Sequence, residues 1–222
     1  MPPRIAGLYA VTPDTDDTPG LLANVDAALA GGARLLQYRN KTASAALRLV
    51  QGRALLALCR DYQAPLIVND HLDLALALDA HGLHVGAEDA SAAEARKRLG
   101  PAKILGVSCY GRIDNALAAA AAGATYVAFG GFFPSQVKPG SARTPIALLP
   151  EARRALKLPI VAIGGITIEN APQLIAAGAD SVAVISALFA AGDVRAAARG
   201  FSALFPRRRR SAAAKRESTR AP

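Results

Sequence analysis

The chain is predicted to be an α/β protein built as a single (β/α)8 TIM barrel with a basic C-terminal tail. Three observations predict it. Short apolar runs alternate with helix-patterned segments eight times between Ile5 and Phe205. The runs are apolar along their whole length, as in Pro159 to Ile163 and Ser181 to Ile185, which marks strands buried on both faces in a parallel sheet under helices. A Gly-Ala pair between a helix and the next strand recurs at Gly32-Ala33, Gly123-Ala124 and Gly178-Ala179. An open doubly wound sheet is the alternative, but it usually has fewer strands and carries a GxGxxG fingerprint that is not found in this chain.

Taken in order, Ile5 to Val11 reads as the first strand, and residues 13–19, rich in Pro, Asp and Thr, as a loop. A helix over Leu21 to Ala30 stops at Gly31-Gly32. Strand two is Ala33 to Tyr38. The helix after it, Ser44 to Tyr62, carries Leu47, Val50, Leu55 and Leu58 at helical intervals. Strand three, Pro65 to Val68, ends at Asn69-Asp70 and leads to a short helix over Leu72 to Leu78. Strand four is Leu83 to Val85, followed by Gly86 to Asp89 and a helix over Ser91 to Leu99. Strand five, Ile104 to Val107, ends at Ser108, and its helix is the alanine-rich Asp114 to Ala122. Strand six is Tyr126 to Phe129. The longest non-periodic stretch, Gly130 to Arg143, precedes a helix over Ile146 to Leu156. Strand seven, Pro159 to Ile163, turns at Gly164-Gly165 into a helix over Ile168 to Ala177. Strand eight is Ser181 to Ile185, and the last helix, Ala187 to Phe205, breaks near Gly192-Asp193.

Residues 1–206 thus form one expected domain, and residues 207–222 an expected disordered arginine-rich tail. The tail holds seven Lys/Arg and one Glu, which leaves +3 of the chain's +9 charge in the body. Such a tail can bind nucleic acid, but its plainer reading is a solvated extension, so no nucleic-acid partner is expected. No apolar run is long enough to span a membrane and no signal peptide opens the chain, so a cytoplasmic protein without a membrane partner is expected. Assembly with copies of itself is left open. Cys59 and Cys109 lie far apart without CxxC spacing and read as reduced core thiols.

In barrels of this kind chemistry sits at the C-terminal ends of the strands. Those ends carry Gln37, Arg39 and Lys41, then Asn69 and Asp70, Glu88 and Asp89, Ser108, the loop residues Ser135, Gln136 and Lys138, Gly164 and Gly165, and Ser186. Arg39, Lys41 and Lys138 could gather at one rim, and several cationic side chains suit a diphosphate. Asp70 and Asp89, at adjacent strand ends, are the kind of carboxylate pair that holds Mg2+ beside a polyphosphate. The bare glycines after strand seven and Ser186 after strand eight suit a phosphate monoester. Two anionic groups at opposite sides of one mouth follow. Each residue also has a plainer role: helix caps for Asp70, Asp89, Ser108 and Ser186, a simple turn for Gly164-Gly165, and solvated charges for Arg39 and Lys41. The three histidines form no ligand set and read as structural or exposed, with His84 placed nearest the mouth.

With GLYAVTP at the start, QYRNK at 37–41, IVND at 67–70, LHVGAED at 83–89, GVSCY at 106–110, FGGFFPSQVKPG at 129–140, IGGI at 163–166 and ADSVAVISALF at 179–189, the chain resembles the thiamine phosphate synthase (thiamine-phosphate diphosphorylase) family from about Gly7 to Phe205. The resemblance implies a transferase that joins a hydroxymethylpyrimidine diphosphate to a thiazole phosphate, giving thiamine phosphate and diphosphate by a dissociative, Mg2+-assisted route. It places Gln37, Arg39, Lys41, Asn69 and Lys138 at the pyrimidine diphosphate, Ser108 at the pyrimidine substrate, and Tyr38 and Asn40 among the substrate-binding residues. It further places Asp70 and Asp89 on Mg2+, and Ser135, Gln136, Val137, Gly165, Ile185 and Ser186 at the thiazole phosphate. Arg39, Lys41, Lys138 and Ser108 would carry the catalysis. Two positions depart from the family: Ala87 stands where a Gln is usual, and Val137 where a Thr is usual. A thiazole tautomerase-like isomerase and a non-catalytic phosphate-binding barrel are the other readings. The isomerase would need a general base and no metal–diphosphate site.

Overall fold

The computed structural model describes residues 5–86, 89–134 and 143–205. The loop residues Ser135, Gln136, Val137 and Lys138, the departures at Ala87 and Val137, and the expected tail therefore lie outside the described residues. Eight parallel strands close into a barrel in chain order. They are β1 (Gly7–Val11), β2 (Leu35–Tyr38), β3 (Leu66–Asn69), β4 (Gly82–Val85), β5 (Ile104–Tyr110), β6 (Tyr126–Phe129), β7 (Ile160–Ile163) and β8 (Ser181–Val184). β8 pairs back onto β1, with Gly7 opposite Ser181 and Ala10 opposite Val184.

The helices between them are α1 (Thr18–Ala30), α2 (Ala45–Asp61), α3 (Leu72–Ala77), α4 (Ala92–Leu99), α5 (Ile113–Ala121), α6 (Leu148–Ala155) and α7 (Ala171–Ala176), with α8 (Ser186–Phe189) and α9 (Val194–Ala203) after the last strand. Their ends follow local chemistry. α1 begins three residues before the expected Leu21 because Asp17 caps it, accepting the Gly20 N–H at 3.1 Å, with Pro19 in the first turn. α7 begins later than Ile168 because Asn170 binds the Thr167 N–H at 2.8 Å and gives its amide N–H to the Gly165 carbonyl at 3.0 Å. The expected break in the last helix separates α8 from α9, where Asp193 caps the Ala196 N–H at 2.8 Å. β5 runs on to Tyr110 instead of stopping at Val107, since a register shift between Ser108 and Tyr110 keeps it paired to β6.

Alternation along each strand sorts side chains into two buried layers. Ile5, Tyr9, Val11, Leu35, Ile67, Ile104, Tyr126, Ala128, Val161 and Ala183 fill the barrel interior. Leu8, Leu36, Val68, Leu83, Val127 and Val182 face the helices in the larger layer. The interior packs a large ring against a residue with no side chain: a Cβ on Gly106 would fall 2.1 Å from Cζ of Tyr126. Gly106→Ala is therefore expected to destabilise the barrel by about 1–3 kcal/mol, the usual range for overpacking. Urea unfolding measures it, and an unchanged midpoint would contradict the packing described.

Candidate active site

The floor of the mouth is a file of polar side chains on five strands. Gln37 Nε2 donates to Tyr9 Oη at 3.0 Å, and Tyr9 Oη lies 2.9 Å from Tyr126 Oη. Tyr126 Oη lies 2.8 Å from His84 Nδ1, and His84 Nε2 lies 2.8 Å from Ser108 Oγ. The Tyr126 ring stacks on His84 and meets Tyr9 edge-on. Burial pushes both phenols well above their ordinary range, so they remain protonated donors.

On the rim, the end of β2 is stapled to the β1–α1 loop. Thr12 Oγ1 donates to the Arg39 carbonyl at 2.7 Å and accepts the Arg39 N–H at 2.9 Å. The Asp14 carboxylate then takes the Arg39 guanidinium at 2.8 Å on one oxygen and the Lys41 N–H at 2.6 Å on the other. Strand alternation separates the five residues of this stretch. Gln37 joins the floor, whereas Tyr38 and Asn40 are buried against α2. Tyr38 Oη donates to Gln51 Oε1 at 2.7 Å, and Asn40 Nδ2 reaches the same oxygen at 3.1 Å and the Thr15 carbonyl at 2.7 Å. The side chains of Tyr38 and Asn40 thus hold the stretch in place and are not brought to the mouth.

Asp70 and Asp89 come together on the next rim segment. Neither caps a helix: His71 and Ser91 hold those positions, and Asp70 adopts φ 62°. Lys41 Nζ lies 3.0 Å from Asp70 Oδ2. Burial pushes the Asp70 carboxyl up, but hydrogen bonding from Asp89 and Lys41 outweighs it and holds Asp70 below the usual range. Asp89 is raised, by burial first; the Gly86 N–H, which donates to it at 2.6 Å, opposes this, and the neighbouring Asp70 adds to it. Two carboxyls pressed together with split proton affinities form a place where a cation is favoured. Among the described residues no group of three or more His, Cys, Asp or Glu could hold a metal. Two carboxylates fit Mg2+, which keeps waters and phosphate oxygens as its other ligands, better than they fit a metal that needs a full protein cage.

Across the mouth, Gly164 and Gly165 have φ of 104° and 63°. Their bareness serves a close approach, because a Cβ on Gly165 would fall 2.2 Å from the Pro134 carbonyl oxygen. The glycines thereby seat Gly131 to Pro134, which follow β6. Thr144 pins the returning end, its hydroxyl donating to the Gly130 carbonyl at 2.7 Å. A cleft of about 350 Å³ opens between Pro13, Asp14, Arg39, Ile185, Ser186, Phe189 and Ala190. Arg39 therefore shares a wall with Ile185 and Ser186. Arg39 and Ser186, expected on opposite sides of the mouth, line the same cleft because closing the barrel makes β8 a neighbour of β1, which also pairs with β2.

The structure thus brings Gln37, Arg39, Lys41, Asp70, Asp89 and Ser108 into contacts around the mouth, with Asn69 at the end of β3 opposite His84 in register. Three residues absent from the expectations for the site belong with them, Asp14, Tyr9 and Tyr126, and His84, expected nearest the mouth but without a role, joins them through Ser108. Their signal was parity, since each strand residue among them shares an alternation with that strand's interior positions. Losing the Asp14 carboxylate should free the β2 end. In Asp14→Ala the Lys41 amide is expected to exchange with solvent at least about tenfold faster, the cost of a charge-assisted hydrogen bond. Hydrogen-exchange NMR measures it, and unchanged protection would show that another group holds the segment.

The family model described as thiamine monophosphate synthase matches residues 8–188. A thiamine-phosphate synthase of Thiobacillus denitrificans is 57% identical over 199 residues, covering 90% of this chain and 94% of the relative. One of Methylobacillus flagellatus is 56% identical over 203 residues, covering 91% and 97%. The solved thiamine phosphate pyrophosphorylase of Pyrococcus furiosus superposes with a TM-score of 0.80 at 35% identity, over 90% of this chain and 95% of that one. With the carboxyl pair, the cationic strand end and the polar floor all falling inside the matched span, the chain belongs to the thiamine-phosphate synthase family, transferases of thiamine biosynthesis.

Proposed function

We propose that this chain condenses 4-amino-2-methyl-5-(diphosphooxymethyl)pyrimidine with 4-methyl-5-(2-phosphooxyethyl)thiazole, releasing diphosphate and forming thiamine phosphate. The observation that carries this reading is the meeting of Asp70, Asp89 and Lys41 on one rim, beside Arg39. A carboxylate pair with adjacent cations is suited to a leaving diphosphate, and an isomerase would leave it idle.

In this reading Gln37, Arg39, Lys41 and Asn69 hold the pyrimidine diphosphate from β2 and β3, with Lys138 supplied by the loop after β6. Asp70 and Asp89 would hold Mg2+, which when bound supplies positive charge to the phosphate oxygens. The methylene C–O bond breaks and its electron pair leaves with the diphosphate. Arg39, Lys41 and Lys138 stabilise the charge that develops there. The pyrimidine methyl cation left behind, contacted by Ser108, is captured by the thiazole nitrogen lone pair, which forms the new C–N bond. No protein nucleophile and no proton transfer is needed for this step. Ser135, Gln136, Val137, Gly165, Ile185 and Ser186 would hold the thiazole phosphate. The reaction takes small phosphorylated molecules as its partners, and no helix among the described residues is long and apolar enough to cross a membrane. A cytoplasmic setting accords with such substrates.

The test is an endpoint assay in which purified protein is mixed with both substrates, with and without Mg2+, and thiamine phosphate is detected directly. Metal-dependent product that is lost in Asp89→Ala and Lys138→Ala is expected. A folded protein that binds the thiazole phosphate yet yields no product would overturn the reading in favour of the isomerase.

A further inference from the structure

The floor of the mouth has a direction, set by the number of protons each group can give. An amide nitrogen only donates, so Tyr9 Oη accepts from Gln37 Nε2 at 3.0 Å. Tyr9 has one O–H left, and Tyr126 Oη is 2.9 Å away to receive it. Tyr126 then has its single O–H to donate to His84 Nδ1, 2.8 Å away. A neutral imidazole that accepts at Nδ1 carries its proton on Nε2, 2.8 Å from Ser108 Oγ. In that tautomer Ser108 Oγ accepts the hydrogen bond, and its own hydroxyl hydrogen is left for another partner. Ser108 is only half-buried, at the mouth end of β5. Burial holds both phenols protonated, so neither link loses the hydrogen that carries the direction.

We propose that His84, oriented by the file Gln37–Tyr9–Tyr126, is a positioning residue that holds Ser108 as a hydrogen-bond donor facing the barrel mouth, where it takes a lone pair of the uncharged heteroaromatic ring of the substrate. The identity of that ring rests on the synthase reading; the polarity of the file does not. Reversed, the same five groups would turn the Ser108 hydroxyl back toward His84 and leave only an acceptor at the mouth. A buried polar group of fixed sense discriminates strongly between a ring nitrogen with a lone pair and one with a proton. The direction originates at the Gln37 amide, four hydrogen bonds from Ser108, so it can be altered without touching His84 or Ser108.

Long-range 1H–15N spectra of the full chain near neutral pH, without substrate, report the tautomer of each of the three histidines, and His84→Asn assigns the His84 signals. The Nε2–H tautomer is expected for His84. Tyr9→Phe removes both hydrogen bonds of Tyr9 Oη and leaves the Gln37 amide's own approach to Tyr126 as the remaining constraint, so His84 is expected to populate the second tautomer detectably. The kcat for thiamine phosphate formation is expected to fall about tenfold, a single hydrogen bond's worth, with the KM for the thiazole phosphate unmoved. Gln37→Met, which removes the donor at similar length, should shift the His84 spectrum in the same way and serves if Tyr9→Phe does not fold. An Nδ1–H tautomer, a ring protonated on both nitrogens, or a His84 spectrum unchanged in both variants would overturn the proposal. Because these spectra need no substrate, they can fail while the product assay succeeds, or succeed while it fails.

Discussion

Two phenol hydroxyls meet 2.9 Å apart in the middle of the barrel, and much of the mouth follows from satisfying them. Tyr9 and Tyr126 are fully buried, where an unpaired hydroxyl would cost on the order of 1–3 kcal/mol. Each finds its second partner on a further strand, Gln37 on β2 and His84 on β4, and His84 passes the chain to Ser108 on β5. The bare Gly106 gives the Tyr126 ring its place. The polar floor and the packing of the barrel are one arrangement: the ring fills the interior while its hydroxyl belongs to the site.

The rim obeys a different constraint, charge balance at partial exposure. Arg39 is matched by Asp14 and Lys41 by Asp70, with Asp89 beside the second pair. Exposed pairs of this kind contribute little to stability. Their consequence is orientation, because each carboxylate fixes where its cationic partner sits. Preorganisation of that sort is what the proposed reaction would need, since charge developing on a leaving diphosphate would meet cations already in place.

Much of this was legible in the sequence. All eight strands, the break before α9 and the gathering of Gln37, Arg39, Lys41, Asp70, Asp89 and Ser108 are readable because apolar runs and turn residues are local signals. Helix starts moved where a side chain such as the Asp17 cap or the turn-forming Asn170 decided the matter, which propensity alone does not reveal. Tyr38 and Asn40 were read with the site although strand alternation turns their side chains toward α2, opposite Gln37 and Arg39. The Tyr9–Tyr126 contact joins residues 117 apart in the chain, and only the closed register brings them together. Asp14 was hidden in a loop whose Pro, Asp and Thr content read as turn chemistry; its carboxylate acts on a strand end 25 residues further along. The same closure made Arg39 and Ser186 share one cleft, which an ordered list of strand ends does not convey.

In the proposed reaction one barrel mouth holds two anionic groups at once, a diphosphate beside Asp70 and Asp89 and a phosphate monoester beside Gly165 and Ser186. Calorimetric titration of the full chain tests it most directly, using Mg2+ with inorganic diphosphate as one ligand and the thiazole phosphate as the other. Each ligand is expected to bind once per chain in the presence of the other, and Asp89→Ala to weaken the diphosphate alone. Mutually exclusive binding, or equal loss of both ligands in Asp89→Ala, would contradict it.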